Sequence, residues 1–417
     1  MIEKFVLWRS SLDRMLSTPV GPYLDGLAVD LHSQGFGRWG LRRRLQGAAH
    51  FSVWCGLREV SVAELHEKWL PEFRGHLRAC TCPGRFTHSF HGDAAAMAGA
   101  LALIAVLRRM GVAVSSAPLK PAPELPELVR GFSDWIQKNR GIQEGTIREY
   151  QPVLCKILAA LGDLPQQYDA RSIRAFVVNE TKTATRSHCL LIVTAVRMFM
   201  RFLIAEGMCR PGLEGAVPKV AMWRLASLPR YLPAEQVNRI VEAADQDTPT
   251  GLRDKAALLL LARLGLRAGD VRALSLGDID WERGCIRVAG KSRTEVMLPL
   301  TQEVGDALMS YLDRGRPPAV TDRVFVRMLA PWQPLKISAI SALVGRAISR
   351  SGVTARFRGA HTLRHSAATE MLRQGATLDQ VGAVLRHQCL DTTAHYAKVD
   401  VNRLREIVLP WPEVTPC

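Results

Sequence analysis

Six side chains in the last part of the chain have the types needed to hold and attack a phosphate: Arg267, Lys291, His361, Arg364, His387 and Tyr396. Two planar guanidiniums can each grip non-bridging oxygens in a bidentate fork, neutralising the charge that builds as phosphorus becomes five-coordinate. Donors of this kind typically matter by ~2.7–4 kcal/mol each. A phenol with an ordinary pKa of ~10 is a poor nucleophile at neutral pH, so Tyr396 needs that cationic cluster and a nearby base. His361, three residues before Arg364 and on the same helix face, is the first choice for that base. Lys291 could protonate a leaving oxygen. Such a set would break a phosphodiester without a metal. Taken singly, each residue also has a plainer reading. Arg267 could be a cation favoured by a helix dipole, Lys291 and Arg293 basic turn residues, and Tyr396 an aromatic packed between Ala394 and Ala397. His365 and His395 read as packing or DNA-backbone-contacting groups.

These side chains need elements that bring them together. Pro233 opens a helix to about Ala244, and a Leu-rich helix follows from about Arg253 to Leu264, ended by Gly265 so that Arg267 projects from the turn. Residues 280–284 read as a turn before a β-branched strand at 286–288. A second strand, 295–300, follows Gly290, Lys291, Ser292 and Arg293, which places Lys291 at a hairpin tip. Helices with one small sheet make this part α+β.

Upstream, Leu128, Phe132, Trp135 and Ile136, then Ile147, Tyr150, Leu154 and Ile157, recur at three- and four-residue steps. Residues 124–208 therefore read as an all-helical domain of four or five helices, with Arg197 and Arg201 able to face phosphates. Leu24, Leu27 and Leu31 before Gly35 echo Leu128, Phe132 and Ile136 before Gly141. The division that results is an N-terminal helical accessory domain (1–117), a second helical domain (118–212), a linker (213–229) and a catalytic domain with a C-terminal tail (230–417).

In order, an arginine after a Leu-rich helix, a hairpin lysine, H-x-x-R, a further histidine and a tyrosine resemble the tyrosine recombinase family. That family includes phage integrases and Xer recombinases and shares its chemistry with type IB topoisomerases. The resemblance covers roughly residues 231–400, and the middle helical domain is similar to the family's SAM-like core-binding domain. It implies that Tyr396 attacks DNA to leave a 3′-phosphotyrosine and that Arg267 and Arg364 hold the phosphate. It further implies that Lys291 protonates the 5′ oxygen, that His387 hydrogen-bonds the scissile phosphate, and that Asp270 orients the arginine and histidine. Neither ATP nor a divalent ion is then required. The resemblance also implies a clamp on double-stranded DNA, a homotetramer on paired sites, and a part in integrating or excising a mobile element. The apolar stripe Val401, Leu404, Ile407, Val408 and Trp411 would form a tail helix that docks on a neighbouring protomer or on its own domain. Two positions depart from the family pattern: Asp270 stands where glutamate is usual, and Arg386 where glycine is common. Arg386 adds a cation that would tighten DNA binding or hinder the local turn. Two other readings fit the same chain, a type IB topoisomerase-like nicking and resealing enzyme and a catalytically silent DNA-binding architectural protein.

Composition agrees with a polyanionic partner. Lys plus Arg number 55 against 39 Asp plus Glu, a formal charge of +16 spread over all parts of the chain. The longest apolar run, residues 94–107, is short of the ~20 residues that cross a bilayer, so no transmembrane helix is expected. Charged residues interrupt the first sixteen positions, unlike a secretory signal, and the nine cysteines are odd in number and scattered. A cytoplasmic protein with reduced thiols is expected. His76, Cys80, Cys82, His88 and His91 form a separate cluster with enough nitrogen and sulfur for a structural zinc, although the C-x-C spacing is tighter than usual.

Overall fold

Amphipathic spacing becomes helix throughout the computed structural model, which describes residues 2–6, 9–80, 82, 92–113, 125–220, 231–289, 295–387, 393 and 396. The chain divides into two compact units, Ala117–Arg224 on the one hand and Met1–Ser116 with Leu225–Cys417 on the other.

In the first of these, α6 (Glu127–Arg140), α7 (Glu144–Leu161), α8 (Ala170–Thr181) and α9 (Arg186–Ala205) enclose a core centred on Phe132, Ile157, Ile173 and Phe199. Gly141 ends α6 in the left-handed conformation, and Asp169 and Thr185 cap α8 and α9 by accepting backbone N–H groups. By length and composition α9 could cross a membrane. Here it is a core helix, with Phe199 and Phe202 packed edge-on against Phe132. Ala216 and Val217 are buried in the same core. The stretch from 213 to 217, read from sequence as the start of a linker, therefore packs on this unit.

The other unit begins with α1 (Arg9–Leu16), α2 (Leu24–Ser33), α3 (Arg38–Gly56), α4 (Leu70–Leu77) and α5 (Gly92–Arg109), which share a hydrophobic core of their own. α3 and α5 pack closely because each places a glycine against the other's backbone. A Cβ on Gly47 would sit 2.4 Å from Ala96 Cα, and one on Gly99 2.1 Å from Arg44 O. These helices meet the C-terminal region where the Trp332 N–H donates to Gln34 O (3.0 Å) and the Trp332 indole lies on Gly35.

The C-terminal region runs α10 (Ala234–Glu242), α11 (Pro249–Ala262), α12 (Ala268–Ala273), β1 (Ile279–Asp280), β2 (Cys285–Ala289), β3 (Glu295–Pro299), α13 (Gln302–Ser310), α14 (Ile337–Arg350), α15 (Ala360–Arg373) and α16 (Leu378–Leu385). The Leu-rich run is apolar on every side because α11 is the central helix, surrounded by α10, α12, α13, α14 and α15. The sheet is antiparallel in the order β1-β2-β3, with Ile286 opposite Leu298 and Ala289 opposite Glu295. Ile286 and Val288 point into the core while Arg287 points out, as alternation requires. The two-residue β1 occupies the beginning of what the sequence suggested was only a turn, because Asp280 pairs with Cys285.

Candidate active site

Three segments converge at the C-terminal end of α16. Gly265, in the left-handed region at φ 60°, turns the chain after α11, and Arg267 then caps α12. The Asp270 carboxylate accepts the Arg267 backbone N–H (2.8 Å), fixing where that side chain starts. From α15 come His361, Arg364 and His365, at three- and four-residue spacing on one face. Arg364 is 5% exposed, and its guanidinium donates to Gly265 O and Leu385 O; Arg267 Nη2 donates to Arg386 O (3.2 Å). The two arginines thus satisfy carbonyls that the end of α16 leaves open, at the negative pole of its dipole. Each keeps further N–H donors for a ligand.

Tyr396 is buried against Ala368, Leu372, Val381 and Leu385. Its hydroxyl lies 2.6 Å from His365 Nδ1. His387 stacks nearly parallel to the Tyr396 ring, 6.4 Å between centroids, with its Nδ1 2.8 Å from Thr393 Oγ1. His361 is one ring further out, its centroid 6.5 Å from that of His365. The imidazole on the phenol is therefore His365, which the sequence reads as a packing or DNA-backbone group. The signal was present, since His365 is four residues after His361 and shares its helix face.

Burial and positive charge act together on the titrating groups. Burial, then Arg364 and Arg267, hold His361 below its ordinary value and push His387 down to about 4. Burial lowers Arg364 to about 10 and also lowers Arg267. Burial raises the Tyr396 hydroxyl, partly offset by the same two arginines. Among the described residues, Arg267, Arg364 and Arg386 face one carboxylate, Asp270, so the pocket is short of negative charge.

The two departures from the family pattern meet each other. Arg386 adopts the left-handed conformation (φ 56°) in which helix C-caps favour glycine, so the turn forms despite the side chain. Its guanidinium pairs with Asp270, the two side chains being 6% and 10% exposed. The expectation that Arg386 contacts DNA gives way to this buried ion pair, which leaves its Nε and Nη1 without a partner among the described residues.

Other sequence-derived sites fare variously. Lys291 and Arg293 fall between β2 and β3, outside the described residues, as do His88, His91, His395 and the tail stripe from Val401 to Trp411. Arg197 donates to Val217 O and Pro218 O (both 3.2 Å). That ties one of its nitrogens into its own unit. Arg201 is exposed on the same helix. His76, Cys80 and Cys82 are brought together with His50 from α3, a residue the sequence reading missed because it lies 26 positions upstream.

A small antiparallel sheet beside a helical core, with two arginines, imidazoles and a buried tyrosine converging on one helix end, defines a DNA strand-transfer catalytic domain. Residues 230–403 match the sequence pattern of the phage integrase family. The Sinorhizobium fredii integrase/recombinase y4rA is 36% identical over 418 residues, covering 99% of each chain. Tyrosine recombinase XerC of Thermodesulfovibrio yellowstonii is 28% identical over 285 residues, covering 67% of this chain and 94% of its own. The fold is also that of the Tn1549 transposon integrase (residues 82–397) in complex with transposon right-end DNA, with a TM-score of 0.53 at 14% identity, covering 67% of this chain and 99% of that one. A lambda integrase dimer bound to a core site superposes with a TM-score of 0.50 at 20% identity, covering 69% and 98%. The chain belongs to the phage integrase family, the tyrosine recombinases.

Proposed function

We propose that this chain cleaves and rejoins double-stranded DNA at specific sites through a 3′-phosphotyrosine, in the integration or excision of a mobile element. The observation that carries the reading is a buried phenol, hydrogen-bonded to an imidazole, beside an arginine cluster whose charge one carboxylate does not balance. A scissile phosphate supplies the missing anion. Arg267 and Arg364 hold its non-bridging oxygens, and neutral His387 donates a further hydrogen bond. His365 Nδ1 takes the phenolic proton as the Tyr396 oxygen attacks phosphorus, with His361 next along the face. The bond from phosphorus to the 5′ oxygen breaks, and Lys291 protonates that oxygen. Religation reverses the steps. Bond energy stays in the phosphotyrosine, so the chemistry calls for neither ATP nor a metal in the active site.

The family relatives and the DNA-bound neighbours support DNA as the partner. Four protomers on paired sites, working in the cytoplasm, complete the reading. A nicked suicide substrate tests it. Wild-type protein should accumulate a covalent protein–DNA adduct, and Tyr396→Phe should bind DNA without forming one. Binding with no adduct from wild-type protein would make the chain a DNA-binding regulator. Adduct with relaxation of supercoils but no recombinant product would make it a topoisomerase.

A further inference from the structure

We propose that His50, His76, Cys80 and Cys82 bind one zinc ion that staples the N-terminal helices together, a site independent of strand transfer. His50 comes from the middle of α3 and His76 from the last turn of α4, and the two cysteines follow α4 directly. All four ligand atoms lie within 4.8 Å of one another. The separate contacts are 3.2 Å between the two Nε2 atoms, 3.3 Å from Cys80 Sγ to His50 Nε2 and 3.3 Å from Cys82 Sγ to His76 Nε2.

Those distances can be compared with a zinc tetrahedron. Bonds of ~2.05 Å to nitrogen and ~2.3 Å to sulfur give edges of roughly 3.3 Å between nitrogens and 3.6 Å from nitrogen to sulfur. The observed contacts agree to within about 0.3 Å, and both imidazoles present the same nitrogen to the centre. The pairing also fixes the nuclearity. In a two-iron cluster with histidines on one iron and cysteines on the other, the nitrogens and sulfurs lie on opposite sides. Here each nitrogen touches a sulfur, as one central ion requires.

The surroundings suit a closed site. His50 is fully buried, Cys82 is 9% exposed, and Phe73 and Trp54 pack on the two imidazoles with centroids 5.3 and 5.9 Å away. Two thiolates, two neutral imidazoles and a divalent ion sum to zero charge, the state a hydrophobic core accepts at least cost. Four protein ligands leave no open position, which makes the ion structural. Its effect is to close the chain between positions 50 and 82 into one crosslinked segment, joining α3 to the end of α4.

Metal analysis and zinc X-ray absorption of the purified full chain test the assignment. The expected result is one zinc per chain with two nitrogen and two sulfur neighbours. The cobalt-substituted protein should show the sulfur-to-metal charge-transfer band and the ligand-field bands of a tetrahedral site. Cys80→Ser with Cys82→Ser should lose the metal, and His88→Ala with His91→Ala should keep it, since those histidines stand outside the set. Folded wild-type protein holding less than about one ion per ten chains after growth in zinc would overturn the proposal. So would zinc lost on replacing His88 and His91, or an absorption spectrum without sulfur neighbours. The last two measurements remain decisive if the cysteine variant fails to fold.

Discussion

Asp270→Asn isolates the ion pair that replaces the family's glutamate and glycine. The amide oxygen still accepts the Arg267 N–H, so the cap on α12 is kept while the negative charge is removed. Arg386 then stays buried with no counter-ion, and its Nε and Nη1 already lack partners among the described residues. Removing one member of a buried pair typically costs about 3–5 kcal/mol. Arg386→Gly should cost less, because it relieves about 1 kcal/mol of left-handed strain and leaves Asp270 still capping Arg267. The double variant carries neither charge and should be close to Arg386→Gly alone. The cycle therefore predicts a coupling energy of at least about 2 kcal/mol. Native-state hydrogen exchange of peptides spanning α12 and α16 reads the local opening free energies in the full chain. Additive effects, with coupling below about 0.5 kcal/mol, would show that the pair contributes nothing and that Arg386 is tolerated for another reason.

Four further outcomes follow from the geometry. His365→Gln should slow adduct formation by about 10²–10⁴-fold without weakening DNA binding, and single-turnover cleavage at wild-type rate would return the base role to His361. Because burial and two arginines push His387 down to about 4 while the unfolded histidine titrates near ~6.5, the unfolded state binds more protons between those values. Stability of the DNA-free protein should therefore be level above about pH 6.5 and fall as pH drops toward 4; the melting temperature should drop less between pH 7 and 5 in His387→Trp, and an unchanged drop refutes the assignment. Arg201→Ala should reduce the salt slope of DNA binding by about one, whereas Arg197→Ala should change the slope less and destabilise its own unit; equal slopes for both variants would count against this division of roles. Gly99→Leu should disrupt the close approach of α3 and α5 and lower the stability of the N-terminal helices, seen as faster hydrogen exchange there; wild-type protection would refute the contact.

Much of the architecture was legible in local pattern. Three- and four-residue apolar steps marked α6 and α7, β-branched runs around basic turn residues marked β2 and β3, and His361 with Arg364 announced a shared helix face. Local pattern misjudged residues whose role depends on partners far along the chain. Arg197 looked like any arginine on a charged helix until carbonyls twenty positions later claimed it. His50 carried no metal signal because its partners lie on α4 and just after it. Arg386 looked like a cation added for DNA because nothing in its neighbourhood discloses Asp270, 116 residues earlier.

The order and types of the reacting groups are properties of the chain itself, since an arginine, a lysine, H-x-x-R, a histidine and a tyrosine do their chemistry through bonds any sequence reader can list. Which imidazole meets the phenol, which guanidinium is bound by carbonyls, and which cation is matched by a carboxylate depend on distances of about 3 Å between segments as much as 119 residues apart. Hydrogen bonds and ion pairs weaken steeply over an ångström or two. Only the packing of α11, α15 and α16 around Gly265 and Leu385 sets those distances, so those decisions belong to the tertiary structure.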